Sequence, residues 1–179
     1  MGALENEKTA TIEDIYKLPE GKRAELIDGV IYDMASPSLK HQRMITFLVL
    51  AIGNYIRKNS GECEVLPAPF AVFLNNDKDY LEPDVSVICD SSKLDDNGCH
   101  GAPDLVMEIV SQSSRSRDYL LKLFKYKNSG VREYWIIDLE TKVVSVYNFE
   151  IDDIRHYNFG VDIPVGIYNN LFIKIPIGM

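Results

Sequence analysis

Glu108 sits inside Leu105–Val110, LVMEIV, a run that is apolar at every other position. Such a run reads as a β-strand covered on both faces. An ionised carboxylate in that layer is costly, so it titrates neutral, pairs with a cation or holds a metal. The other carboxylate that begins a buried-looking strand is Asp84, in EPDVSVIC, 24 residues earlier. If the two strands are neighbours, both carboxylates point into one site. Two such charges about 4 Å apart repel by ~4 kcal/mol at an effective dielectric of about 20, and a divalent cation between them removes the conflict. All-oxygen ligation suits Mg²⁺ or Mn²⁺. Asp104 belongs to a second Pro-Asp pair, but four strand residues place it about 13 Å from Glu108. Asp84 is therefore the expected partner.

Each of these residues also has a plainer reading. Glu108 could form a structural ion pair with a buried Arg or Lys, and Asp84, after proline, could end a turn. Glu25 could face solvent from a hairpin. Lys122 could be one more solvated helix lysine, since an exposed Asp118–Lys122 pair is worth little. His41 reads as a capping or packing residue in preference to a general base. Tyr134 and Trp135, on an apolar strand, read as core.

The elements that must position these groups are legible from periodicity and capping. Thr11 with Asp14 three residues on predicts a short helix ending near Pro19. Asp28-Gly29 between two alternating apolar runs predicts a hairpin over RAELIDGVIYDM. Met44, Ile45, Phe47, Leu48, Ala51, Ile52, Tyr55 and Ile56 recur at three and four, which predicts a long amphipathic helix capped by Ser38 and closed near Gly61. CEVLPAPFAVFL, PDVSVICD and PDLVMEIVS read as strands. SRDYLLKLFKYKNSG reads as a second helix, capped by Ser114 or Ser116 and stopped at Gly130. REYWIID and KVVSVYNF are strands around a turn at Leu139–Lys142, and GVDIPVGIYNNLFIKIP gives short edge strands and turns. The order implies an α/β or α+β sheet with helices on its faces. Asp118, Lys122, Lys125 and Tyr126 fall along one side of the second helix.

The 179 residues fit one domain over 1–179, with 1–10 polar and frayed. No apolar run reaches a membrane span, and the N-terminal stretch lacks a signal-peptide pattern, so the expected location is cytoplasmic. Cys63, Cys89 and Cys99 form an odd set without a CxxC pair and read as reduced packing residues. The formal net charge of −8 argues against coating nucleic acid through bulk electrostatics. Charge is uneven, however. Arg115, Arg117, Lys122, Lys125, Lys127 and Arg132 fall in an 18-residue window with one acid, Asp118. That is a candidate basic strip.

The acidic pair PD…ExV on consecutive strands resembles the core of PD-(D/E)XK nucleases. With ELIDG, HQR, EPDVSVICD, GAPDLVMEIVS, RDYLLKLFKY and GVREYW in that order, residues 20–150 are similar to the Uma2 (DUF820) family of restriction-endonuclease-like proteins. The resemblance implies a restriction-endonuclease-like core, a mixed β-sheet flanked by helices, and Mg²⁺- or Mn²⁺-dependent hydrolysis of DNA phosphodiesters. It implies Asp84 and Glu108 as metal ligands and Glu25 as an additional acid. Val110 stands where the superfamily lysine would be, and the resemblance transfers that role to Lys122 on the next helix. The family-like SPST turn is SQSS here, with Gln112 in place of proline. Ser111, Ser113, Arg115 and Arg117 are candidate phosphate contacts. The alternative is a catalytically inactive nuclease-fold protein serving binding or assembly. A homodimer or larger homo-oligomer is expected in either case, because pairing two basic strips extends reach along a duplex.

Overall fold

The computed structural model describes residues 9–110 and 116–179. Helix α1 (Ile12–Tyr16) starts at Thr11, whose backbone N–H donates to the Asp14 carboxylate. Strands β1 (Ala24–Ile27) and β2 (Val30–Asp33) form the hairpin expected from Asp28-Gly29, both of which adopt positive φ, 52° and 76°. A two-residue turn of that hand matches the strand twist. Helix α2 (Leu39–Lys58) begins where Ser38 Oγ accepts the His41 N–H. Strands β3 (Glu64–Pro67), β4 (Val72–Leu74), β5 (Asp79–Leu81) and β6 (Val85–Ile88) follow. After a 3-10 turn come β7 (Leu94–Asp95), β8 (Gly98–His100) and β9 (Leu105–Val110).

The predicted second helix is two elements in sequence. Arg117–Lys122 is π-helical, and α3 (Leu123–Ser129) continues it to a left-handed Gly130. Strands β10 (Glu133–Asp138), β11 (Val143–Asn148), β12 (Asp153–Asn158), β13 (Ile163–Pro164) and β14 (Phe172–Ile173) complete the chain.

Two six-stranded sheets result, in the orders β2-β1-β5-β4-β8-β7 and β12-β11-β10-β9-β6-β3, with β13-β14 as a small third. In the second sheet β9 runs parallel to β10 and antiparallel to β6, so β9 is central and fully buried along its length. Its two faces meet different partners. Leu105, Met107 and Ile109 join Met44, Leu48, Ile52 and Ile56 of α2 in one cluster. Val106 and Val110 join Ile27, Val72, Leu74 and Leu81 of the first sheet and Tyr126 of α3 in another. By strand alternation Glu108 belongs to this second face, between the two sheets. Tyr134 and Trp135 are core residues.

The cysteine expectation is corrected. Cys63 and Cys89 form a disulfide, with Cα atoms 3.9 Å apart, and Cys99 alone is free and buried. The reason is register: β3 pairs with β6 as Glu64↔Ile88, and one step further places the two cysteines opposite each other. Sequence spacing carries no trace of that pairing. Among the described residues no helix is long and apolar enough to cross a membrane.

Glu133 supplies a proton-linked contribution to stability. Its buried carboxylate accepts Trp135 Nε1–H and the Ile167 N–H, and a side chain at Gly166 would come within 2.5 Å of Oε2. Burial pushes the carboxyl up to about 7, against the lowering effect of those donors. With the folded value above the unfolded value of 4.5, the folded state holds more protons in between, so this contribution is fully present at low pH and is lost as pH rises towards about 7. Chemical denaturation across that window should show a falling stability component in the wild type that Glu133→Gln removes. Parallel pH profiles for the two proteins would contradict this.

Candidate active site

Asp84 and Glu108 are brought near each other by one strand register. β6 and β9 pair as Val85↔Met107, so Asp84, the residue before β6, comes beside the part of β9 that carries Glu108, close enough for its charge to push the Glu108 carboxyl up. The Asp84 carboxylate extends the ladder itself, accepting the Ile109 N–H at Oδ2 over 2.7 Å. The rival Asp104 is engaged elsewhere, accepting the Cys89 N–H and pairing with Arg132.

Glu25 reaches the same space from the first sheet. It is buried, and its Oε1 accepts the Glu82 N–H at 3.2 Å and Lys122 Nζ at 2.7 Å. Lys122 is 3% exposed, which excludes the solvated-helix reading. Its ammonium also donates to Glu108 Oε1 at 2.8 Å and lies 3.6 Å from Asp118 Oδ1. Tyr126 OH donates to the same Glu108 oxygen at 3.0 Å. The ion-pair reading of Glu108 is thus realised, with Lys122 as its cation.

The π-helical turn explains how one helix offers two cations to one acid. Arg117 Nη1 is 3.6 Å from Glu25 Oε2 while Lys122 holds Oε1. In an α-helix, residues five apart point about 140° away from each other. A π-turn closes i→i+5 hydrogen bonds and brings them to one side. Arg117 is further held over the Tyr32 ring at 4.7 Å. The other phosphate-contact candidates, Ser111, Ser113 and Arg115, lie outside the described residues.

Electrostatically the cluster is acidic. Glu25, Glu108 and Asp118 surround Lys122, Arg117 approaches Glu25, and Asp84 acts on Glu108 from beside it; four carboxylates and two cations leave two negative charges when all are ionised. Burial pushes the Glu108 carboxyl well up; the Lys122 ammonium opposes this, while Asp84, Asp118 and Glu25 push it further. Burial would lower the Lys122 value, but Glu108, Glu25 and Asp118 outweigh it and hold the ammonium charged. Burial and Glu108 also raise the Tyr126 phenol, which keeps it a donor.

The donor set fits a divalent cation. Among the described residues no three His, Cys, Asp or Glu side chains form a ready-made metal cage. Mg²⁺, however, is commonly held by one or two carboxylates together with waters and substrate phosphate. Asp84 and Glu108 match that pattern, and two excess negative charges match its charge.

Sequence reasoning undervalued His41. Its Nε2 lies 3.0 Å from Asp84 Oδ2, so it belongs to this site. A signal existed: His41 falls on the α2 stripe one turn before Met44 and Ile45. The basic strip is also corrected. Every described cation of that window holds a carboxylate: Arg117 and Lys122 as above, Lys125 with Asp28 and Asp79, Lys127 with Asp152, and Arg132 with Asp104 and Glu150. Two cavities of about 670 and 850 Å³ share Phe73, Asn75, Asp77, Asp79 and His100, and neither contains Glu25, Asp84, Glu108 or Lys122. The solvent-facing rim of the cluster is instead Asp84, His41 and Arg117, whose side chains are 11, 19 and 22% exposed.

Residues 12–161 match the model of the Uma2 family, described as putative restriction endonucleases. Two curated relatives are uncharacterized proteins of Synechocystis sp. (strain ATCC 27184 / PCC 6803 / Kazusa). One, slr1290, is 27% identical over 128 residues, 71% of this chain and 66% of the relative. The other, sll1609, is 29% identical over 125 residues, 65% of this chain and 67% of the relative. The chain thus spans about two thirds of their length. A crystal structure of a putative nuclease belonging to DUF820 from Anabaena variabilis ATCC 29413 superposes with a TM-score of 0.72 at 22% identity, covering 87% of this chain and 88% of that one. The restriction-endonuclease-like fold is therefore shared.

Removing the central cation tests the cluster. Lys122→Met should destabilise the protein by about 3–5 kcal/mol, because it strands buried carboxylates. Adding Glu25→Gln should recover part of that loss. A change below about 0.5 kcal/mol in urea unfolding, as for a solvated lysine, would contradict the arrangement.

Proposed function

This chain belongs to the Uma2 family, and on that premise we propose that it is a metal-dependent DNA endonuclease using Mg²⁺ or Mn²⁺. The observation that carries the proposal is the buried cluster in which Lys122 joins Glu25 and Glu108, with Asp84 brought alongside by the β6–β9 register. In this reading Asp84 and Glu108 hold the cation. A bound divalent cation supplies Lewis acidity and a water of lowered pKa for attack on phosphorus. Lys122, kept protonated by its carboxylate neighbours, lends positive charge to the phosphate as negative charge grows on its oxygens. Glu25 holds that ammonium from the opposite sheet and keeps it aimed between the layers. Arg117, at the rim, is the described candidate for positioning the backbone of the nucleic acid. A homodimer or larger assembly belongs to the same reading, since two-fold pairing sets two sites on one duplex.

A catalytically inactive nuclease-fold binding or assembly protein is the second reading. It is favoured by the neutralised basic window and by the overall charge of −8.

Calorimetric titration with Mn²⁺ should show binding in the wild type and loss in both Asp84→Ala and Glu108→Ala, with the fold intact by circular dichroism. Plasmid and single-stranded DNA should be cleaved by the wild type only with the metal present, and not by Asp84→Ala. Light scattering should give at least twice the 20.3 kDa chain mass. Metal binding without cleavage of either DNA would favour the second reading. No metal binding with or without DNA would overturn the first.

A further inference from the structure

His41 stands at the third position of α2, and its side chain lies at the rim of the candidate active site rather than in the core beneath it. Ser38 Oγ accepts its backbone N–H at 3.2 Å, which fixes the first turn of a 20-residue helix packed along β6 and β9. From that anchored turn the imidazole brings Nε2 to 3.0 Å from Asp84 Oδ2. The same oxygen takes the Ile109 N–H at 2.7 Å. No described residue bonds Asp84 Oδ1.

The far nitrogen of the ring decides what His41 does. Nδ1 is buried and has no hydrogen-bond partner among the described residues. Orphaned buried N–H groups are rarer in native structures than under-satisfied acceptors, which favours a bare Nδ1. The alternative tautomer would also set the Nε2 lone pair against a carboxylate lone pair. The arrangement that satisfies both constraints has the proton on Nε2, donated to Asp84, and Nδ1 bare. A metal-bound imidazole almost always donates its second N–H to a carboxylate, carbonyl or water. Nδ1 lacks such a partner, so the geometry favours a hydrogen-bonding role over a ligand role.

We propose that His41 is a positioning residue for Asp84: its Nε2–H and the Ile109 N–H together clamp Oδ2, so that Oδ1 is presented to the divalent cation. The inference rests on the metal-dependent reading above and adds a residue to it. One donor comes from the strand ladder and the other from a helix on the opposite face of the sheet. The carboxylate plane is therefore fixed by two elements that cannot move independently of the core between them. Losing either donor leaves Asp84 free to rotate, and outer-shell partners of this kind are worth about 10–100-fold in metal affinity.

The test compares His41→Phe, which keeps the ring's bulk without a donor, with His41→Gln, whose amide N–H reaches about as far as Nε2. Mn²⁺ affinity is measured by calorimetry beside wild type and Asp84→Asn, with thermal unfolding as the fold control. His41→Phe should bind Mn²⁺ about 10–100-fold more weakly, His41→Gln should return most of that affinity, and Asp84→Asn should bind none. Independently of metal, long-range ¹H–¹⁵N correlation of the imidazole in the metal-free wild type should show the Nε2-protonated tautomer. Wild-type affinity in His41→Phe, or a spectrum with the proton on Nδ1, would overturn the inference and leave the metal reading standing. His41→Gln as weak as His41→Phe would also overturn it, since the imidazole itself would then be needed. A wild type that binds no Mn²⁺ would sink the metal reading and this inference with it.

Discussion

One buried ammonium joins three parts of this protein that no covalent constraint brings together. Lys122 Nζ meets Glu25 from the first sheet, Glu108 from the centre of the second and Asp118 from its own helix. Dehydrating that charge is expensive, and so is dehydrating the acids. Only their mutual attraction with good geometry offsets the cost, and hydrophobic residues of similar volume would often do as well for stability alone. The two sheets and the helix are arranged around this ion cluster, with apolar clusters on both faces of β9 giving it a dry and rigid setting.

The helix pays for this arrangement in regularity. An α-helix could aim Lys122 at Glu108, or Arg117 at Glu25, but not both cations at the two oxygens of Glu25. The π-turn over Arg117–Lys122 does so by bringing residues five apart onto one side, after which α3 resumes and places Tyr126 on Glu108 and Lys125 on Asp79. Each turn of the helix therefore carries a contact between layers. π-helical turns are rare, and they are frequent at functional sites.

How much of this could be read from the sequence depended on how local each signal was. The Asp28-Gly29 hairpin, the Ser38 cap and the α2 stripe were legible because each is set within a few residues. That Glu108 needs a partner was legible, because an acid inside an apolar run demands one, and the partner the structure gives it is the Lys122 ammonium. Lys122 was legible only through the family resemblance, and its burial could not be read from helix periodicity that also admitted a solvated face. The π-turn had no signature, since the same side chains suit an α-helix. The Cys63–Cys89 bond depended on the β3–β6 register, and the neutralised basic window depended on acids such as Asp79, Asp104 and Asp152 that are distant in sequence. Strand β12, DIRHYN, escaped because it is an edge strand with mostly exposed residues and weak alternation.

The charge balance of the site then constrains how it meets a substrate. A phosphodiester approaching four carboxylates and two cations encounters net repulsion, and the neighbouring Lys125, Lys127 and Arg132 are already held by acids of their own. Recruitment by a broad basic surface, the usual route for nucleic-acid binding, is therefore weak here. A divalent cation changes the sign of the problem at one point. In the proposed reading, Asp84 and Glu108 would hold such a cation, and its charge would offset the two excess negative charges and favour phosphate oxygens. On that reading the acids that would repel a phosphodiester in the absence of metal are the same acids proposed to bind the metal. Substrate affinity should consequently depend on divalent cation more steeply than on ionic strength, with Lys122 and Arg117 contributing once the cation has offset the surrounding carboxylates.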